Sequence, residues 1–174
     1  MSFTIDSIHR LGTAQSLIDT PLGPMRLVRT AQGLAGAWFE GQKHHPGELP
    51  TELRPNDPLL QRAAMQLRRY FDGKRTAFDL PLDLLGTHFQ RAVWAALLRI
   101  PAGKTCAYGD IARALDAPQA VRAVGAAVGR NPVSLIVPCH RVVGRDGSLT
   151  GYAGGIERKQ ALLELEKQET AAAA

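Results

Sequence analysis

The sequence predicts an α+β protein, with a small antiparallel meander in the first half and a mostly helical second half. Three observations carry this. Short apolar-rich runs at Gln15–Thr20, Met25–Thr30 and Leu34–Phe39 are separated by turn-forming Pro21-Leu22-Gly23-Pro24 and Ala31-Gln32-Gly33. Helix-start signals stand at Asp57-Pro58 and Thr87. Two short helical runs, Tyr108–Leu115 and Pro118–Gly129, are joined by Asp116-Ala117 with the dimensions of a helix-turn-helix.

The remaining elements follow in order. Gly41–Pro55 is polar and rich in Pro, Gly and His, and reads as a loop. Asp57 can cap a helix with Pro58 at its first position. Leu59, Leu60, Ala63, Ala64, Leu67 and Phe71 supply the apolar face, and Gly73 lies just past the end. Phe78–Leu82 alternates like an edge strand. Thr87-His88-Phe89-Gln90 has the capping-box pattern ahead of a helix over Ala92–Ile100, which Pro101-Ala102-Gly103 stops. Asp146-Gly147 predicts a hairpin between Val142-Val143 and Leu149-Thr150. A helix over Gly155–Gln168 closes the chain, with a frayed tail at Ala171–Ala174.

Composition narrows the function classes. The 174 residues are 45% hydrophobic and 21% charged, which excludes wholesale disorder. No apolar stretch approaches the roughly 18 residues of a membrane span, and the N-terminus lacks a signal-peptide pattern. Two cysteines, Cys106 and Cys139, cannot build a disulfide framework or a four-thiolate zinc site, so a reducing, intracellular setting is expected. The net charge is +5 and is uneven: residues 86–174 carry eleven Lys/Arg against seven Asp/Glu. Between Ala117 and Arg145 stand Arg122, Arg130, Arg141 and Arg145 without an acid, which suits a polyanion such as nucleic acid. A solvated surface explains the charge equally well on its own.

The chemistry concentrates in Asn131–Gly144, where an apolar run delivers Pro138-Cys139-His140-Arg141. A thiol attacks as thiolate, and nearby positive charge or a helix N-terminus favours that form. Neighbouring side chains on a helix do not face one another, so His140 would reach Cys139 through a water or a turn geometry. Read from the residues alone, such a pair is more often a buried structural pair or a coincidence than a catalytic one.

Pro138-Cys139-His140-Arg141-Val142 resembles the active-site signature of the O6-alkylguanine-DNA alkyltransferases, the methylated-DNA–protein-cysteine methyltransferases. Further segments resemble the family in the same order: Thr105–Ala112 its tyrosine segment, Ala120–Gly125 its DNA-probing helix, and Gly129–Pro132 its asparagine hinge. Gly151–Gly155 resembles its pocket loop, and Leu162–Glu166 its acidic helix. The likeness is specific over about residues 87–166 and loose before that.

The resemblance implies a ribonuclease-H-like α/β supporting domain over 1–85, a winged helix-turn-helix domain over 86–168, and a tail over 169–174. It implies direct reversal of O6-alkylguanine, and less readily O4-alkylthymine, in double-stranded DNA. The alkyl group would pass irreversibly to Cys139, once per protein molecule. His140 would act as a water-mediated base oriented by Glu166, Tyr108 would hydrogen-bond guanine N3, and Asn131 would support the site. Arg122 would be the finger that replaces the flipped nucleotide. Tyr108, Ala120, Ala123, Gly125, Ala127 and Arg130 would contact the minor groove. Val137, Pro138, Val142, Tyr152, Ala153, Gly154 and Gly155 would form the base pocket. No cofactor and no metal are implied, because the first half lacks the cysteines with which some members bind zinc. The expected state is a cytoplasmic monomer, able to bind DNA cooperatively, with no membrane partner.

Departures from the family pattern matter. Ala153 stands where a serine is common, which removes one hydroxyl that could contact guanine O6 and leaves backbone N–H groups; Ser134 stands where some relatives have proline, so a roomier mouth and tolerance of bulkier alkyl groups are expected. Cys106 is expected to be a small buried residue. Three other readings compete. They are a damage-binding protein without transfer, which Cys139 argues against; a helix-turn-helix regulator; and a Cys-His hydrolase, which would turn over many times.

Overall fold

The computed structural model describes residues 3–74 and 77–173. Its elements are α1 (Phe3–Leu11), β1 (Ala14–Ile18), β2 (Met25–Arg29), β3 (Leu34–Phe39), α2 (Pro58–Phe71), α3 (His88–Leu97), β4 (Cys106–Ala107), α4 (Tyr108–Ala114) and α5 (Val121–Gly129). A 3₁₀ turn (Cys139–Arg141), β5 (Val142–Val143) and α6 (Ile156–Ala172) complete the chain.

β1, β2 and β3 form an antiparallel sheet in sequence order, as the turn signals predict. Every residue of β3 is buried. One face packs towards α2; the outer edge of β3 pairs with the segment that leads to the cysteine. There, Ala37 N–H donates to Pro132 O at 2.9 Å, and Ser134 N–H donates to Ala37 O at 2.8 Å. The first-half sheet is thus the rail on which the reactive segment is laid. A single apolar cluster runs from Met25 and Leu27 through Trp94, Leu97 and Val124 to Leu162.

The helix starts behave as their residues dictate. Asp57 Oδ1 accepts from the N–H groups of Leu59 (3.0 Å) and Leu60 (3.1 Å), a cap contributing about 1 kcal/mol. Gly73 takes φ +69° just past the end of α2, a conformation glycine adopts without steric cost. Thr87 and Gln90 form the reciprocal capping box. Among the described residues no helix is long and apolar enough to cross a membrane.

α1 is an element beyond those expected; at nine residues it is too short to be stable alone, and it forms because Ile8, 0% exposed, packs with Val28 and Trp38. Three expectations need correction. Phe78–Leu82 is not a strand. It makes one bridge, Leu34 to Leu82, and Pro81 has no N–H with which to extend a ladder. The hairpin around Asp146-Gly147 is a tight turn only: Gly144 N–H donates to Ser148 O at 2.9 Å, but β5 pairs in parallel with β4 instead of with Leu149-Thr150. Thr150 O is already taken by Lys159 and Tyr108. Finally, α5 begins at Val121 rather than Pro118, and α6 runs one turn past Gln168, to Ala172.

Candidate active site and DNA interface

Cys139 opens the 3₁₀ turn at the end of the segment anchored on β3 and is 4% exposed. Asn131 organises this segment. Its Nδ2 donates to Val137 O at 2.8 Å and to Cys139 Sγ at 3.1 Å, while its Oδ1 accepts from Val133 N–H at 2.9 Å. One amide therefore ties both ends of the loop together and touches the thiol.

His140 points the other way, into the core. Its Nε2 lies 2.7 Å from Glu166 Oε1 on α6, and both side chains are fully buried. Glu166 is held from every side. Arg141 donates from Nε (3.0 Å to Oε2) and Nη2 (2.8 Å to Oε1), Tyr70 O–H donates at 2.8 Å, and Gly103 N–H donates at 3.2 Å. Burial alone would raise the Glu166 carboxyl. The hydrogen bonds of His140 and Arg141 overcome that and hold it well below the usual carboxylate range. Burial lowers His140, more than Glu166 can restore, so the imidazole is neutral at pH 7. Its Nδ1 is buried with no hydrogen-bond partner among the described residues, leaving that atom available to take a proton.

Arg141 is thus not the cation beside the thiol that its sequence position suggests. That cation is Lys159 of α6, 0% exposed, whose Nζ donates to Val142 O (2.5 Å) and Thr150 O (2.9 Å). Burial pushes the Cys139 thiol up, while the Asn131 hydrogen bond and the Lys159 charge pull it back. Sequence reasoning missed Lys159, although a signal existed. Lys159, Leu162, Leu163 and Glu166 recur at helical spacing, and all four are buried, so two charged residues occupy an apolar stripe.

Tyr108 and Tyr152, on both of which Cys139 acts electrostatically, line a cleft of about 540 Å³ with Gly125, Ala126, Gly129, Arg130, Thr150, Gly151 and Ala153 from the second half and Lys43 and His44 from the first; Cys139 itself is not part of the lining. Tyr108, at the start of α4, donates its hydroxyl to Thr150 O (3.2 Å) and Gly151 O (3.3 Å), closing the mouth against the pocket loop. Gly154 lets that loop fold back: a Cβ there would stand 2.6 Å from the Tyr152 ring. Tyr152 buries its hydroxyl, and burial raises its pKa well above the ordinary tyrosine value. Arg122 and Ala123 are exposed on α5, with Ala120 half-buried at its N-cap.

Several expected residues lie elsewhere. Ala127 is 4% exposed, packs in the core, and its carbonyl accepts from Trp94 Nε1–H at 2.9 Å, so it does not face DNA. Pro138 lines a separate groove with Phe78, Leu98 and Ile100 that shares no residue with the cleft. Gly155, at φ +93°, lines another, beside Pro21 and Leu22. Val137 and Val142, both 0% exposed, lie in the core beneath the pocket. Ser134 is 2% exposed, with Oγ 3.3 Å from Gln42 Oε1, so it is not at the mouth and cannot widen it. Cys106 is half-buried rather than buried, with Asp110 nearby.

Comparison with known proteins agrees with this architecture. Residues 14–84 match the family model described as the 6-O-methylguanine DNA methyltransferase ribonuclease-like domain, and residues 88–168 match the DNA-binding domain of the same family. The chain is 50% identical over 155 residues to the methylated-DNA–protein-cysteine methyltransferase of Mycobacterium tuberculosis, covering 89% of this chain and 93% of that protein. It is 46% identical to the protein of the same name from Methanosarcina barkeri, over 87% and 95% of the two chains. The fold superposes on the crystal structure of M. tuberculosis OGT in complex with DNA with a TM-score of 0.85 at 47% identity, covering 90% of this chain and 94% of that one. The chain therefore belongs to the 6-O-methylguanine DNA methyltransferase family.

Proposed function

We propose that this protein is a methylated-DNA–protein-cysteine methyltransferase that repairs O6-alkylguanine in DNA by moving the alkyl group irreversibly onto Cys139. The observation that carries the reading is one constellation. A buried thiol contacts Asn131, its sequence neighbour His140 is paired with buried Glu166, and the thiol lies near enough to act electrostatically on Tyr108 and Tyr152, which line a cleft.

The roles proposed for these residues are as follows. Glu166 is an ionised acceptor at Nε2 of neutral His140, which leaves Nδ1 to take the Cys139 proton through a water. The thiolate then attacks the alkyl carbon, the carbon–O6 bond breaks, and its electron pair leaves with guanine. Tyr108 O–H, released from the Thr150 and Gly151 carbonyls when a base enters, hydrogen-bonds N3 and helps neutralise the leaving base. Lys159 is a buried counter-charge for the thiolate. The thioether is stable, so each molecule reacts once.

A guanine inside a duplex must leave the stack first. Exposed Arg122 on α5 fills the gap from the minor groove, with Ala120, Ala123, Gly125 and Arg130 against the backbone. Residues 1–85 support and orient the reactive segment, residues 86–168 bind DNA and react, and residues 169–174 close the chain. O4-alkylthymine is a poorer substrate, and the protein acts as an intracellular monomer.

The test is intact-protein mass after incubation with duplex DNA carrying one O6-methylguanine. One methyl group added, located on the Cys139 peptide and absent from Cys139→Ser, is the expected result. Tight binding without any mass change would replace repair with damage recognition, and repeated turnover would replace it with hydrolysis.

A further inference from the structure

The first half of the chain does more than support the second. The loop after β3 reaches across and forms one wall of the cleft. Gly41 (φ +75°) and Gly47 (φ +75°) bracket it, and His44 itself takes φ +63° at its apex. Its attachment is specific. Buried Gln42 accepts from Phe39 N–H at 2.9 Å and lies 3.3 Å from Ser134 on the reactive segment. Lys43 N–H donates to Ala153 O at 2.9 Å, on the pocket loop itself. Arg158 reinforces the seam from α6, donating to Leu22 O (2.8 Å) and Gly154 O (2.9 Å).

What this strap presents is charge. The Lys43 and His44 side chains are exposed and face Arg130 across the cleft, and the lining contains no Asp or Glu. Among the described residues no carboxylate pairs with Lys43 or Arg130. Burial, then Lys43, then Arg130 keep His44 from taking up a proton, which reflects how near the two cations lie to it. Two unpaired cations and a neutral imidazole donor at the rim of a cleft suit an anion with several acceptor oxygens.

We infer that Lys43 and His44 of the first-half strap bind the DNA backbone phosphate beside the flipped nucleotide, opposite Arg130, so that the cleft holds the target strand from both halves of the chain. This rests on the alkyl-transfer reading. It adds a phosphate contact from outside the helix-turn-helix, while the backbone bond from Lys43 to Ala153 seats the pocket loop.

The experiment compares two substrates that differ in phosphate. Wild type, Lys43→Glu and the Lys43→Ala/His44→Ala double variant are reacted with a duplex carrying one O6-benzylguanine and with the free base O6-benzylguanine. Alkylation of Cys139 is followed by mass, and duplex binding is measured across salt concentrations. The expected result is a fall of about tenfold or more in the duplex rate for Lys43→Glu and a salt slope shallower by about 1 for the double variant, with a far smaller loss on the free base. The substituted side chains are exposed and the Lys43 N–H survives, so the fold is retained. Unchanged duplex rates and salt slope would overturn the inference. Equal losses on duplex and free base would also overturn it, because the strap would then act only through pocket shape. A wild type that takes no alkyl group from either substrate would instead remove the alkyl-transfer reading.

Discussion

The floor and the rim of the site are built on opposite principles. At the floor, Cys139, His140, Asn131, Lys159 and Glu166 are almost wholly buried, and nearly every polar atom has a protein partner. At the rim, Lys43, His44, Arg122 and Arg130 are exposed, and Tyr108 is held only by two carbonyls of a glycine-containing loop. A proton and an alkyl group must move between fixed atoms at the floor, so its geometry is over-determined. The rim must open to admit a base and meet a flexible polyanion, so it keeps its hydrogen-bonding capacity free. Errors at the floor should therefore cost rate, and stability as well where they strand a buried partner, while errors at the exposed cations of the rim should cost DNA engagement.

Glu166→Ala gives the largest expected break in that comparison. It strands the Arg141 guanidinium and the Tyr70 hydroxyl in the core and frees His140 to rotate. Removing one partner of such a buried pair typically costs about 3–5 kcal/mol, so chemical denaturation should show a strong loss of stability alongside slow alkyl transfer. A variant as stable as wild type would mean that Arg141 finds a new partner, and that the floor is less rigid than its hydrogen bonds imply.

Lys159→Met sharpens the comparison by separating rate from stability. The substitution removes a buried charge that is met only by carbonyls, while keeping most of its bulk, so stability should hold or rise. The thiol loses its counter-charge, and each pKa unit of upward shift removes about tenfold of thiolate at neutral pH. Alkyl transfer to free base should slow and its rise with pH should move to more alkaline values, with Lys159→Arg recovering part of the rate. An unmoved pH profile would reduce Lys159 to a loop clamp.

Acid gives the smallest effect, and its sign follows from His140 and Glu166, the two depressed floor groups whose ordinary values lie below neutral pH. His140 resists protonation when folded, so stability is full above its ordinary value of 6.5 and declines as pH falls below it. Glu166, also depressed, adds a second loss as pH falls below its ordinary 4.5. Melting temperature should thus fall in two stages, and His140→Gln should remove the first. A single stage common to both proteins would place the acid sensitivity outside the floor.

Legibility differed along the same division. Cys139, His140 and Asn131 lie within nine residues of one another, and local sequence shows such a cluster directly. Helix caps at Asp57 and Thr87 were equally visible, because the groups they satisfy are two or three residues away. Ala127 misled because small residues at helical spacing serve either a DNA face or a packed face, and only the position of Trp94 decides between them. Ser134 misled because a substitution beside the reactive segment need not line the mouth.

Sequence by itself determined the class of fold, the family, the nucleophile and the order of the functional segments, since these rest on local spacing and on residue types with few other uses. Tertiary structure decided which cation serves the thiol, which face of α5 is free, and that the loop at Lys43 belongs to the cleft. The physical reason is that charge and burial act through space. Lys159 meets Val142 across 17 residues, Tyr70 meets Glu166 across 96, and Lys43 meets Ala153 from the opposite half of the chain. No periodicity within a single segment encodes such a contact.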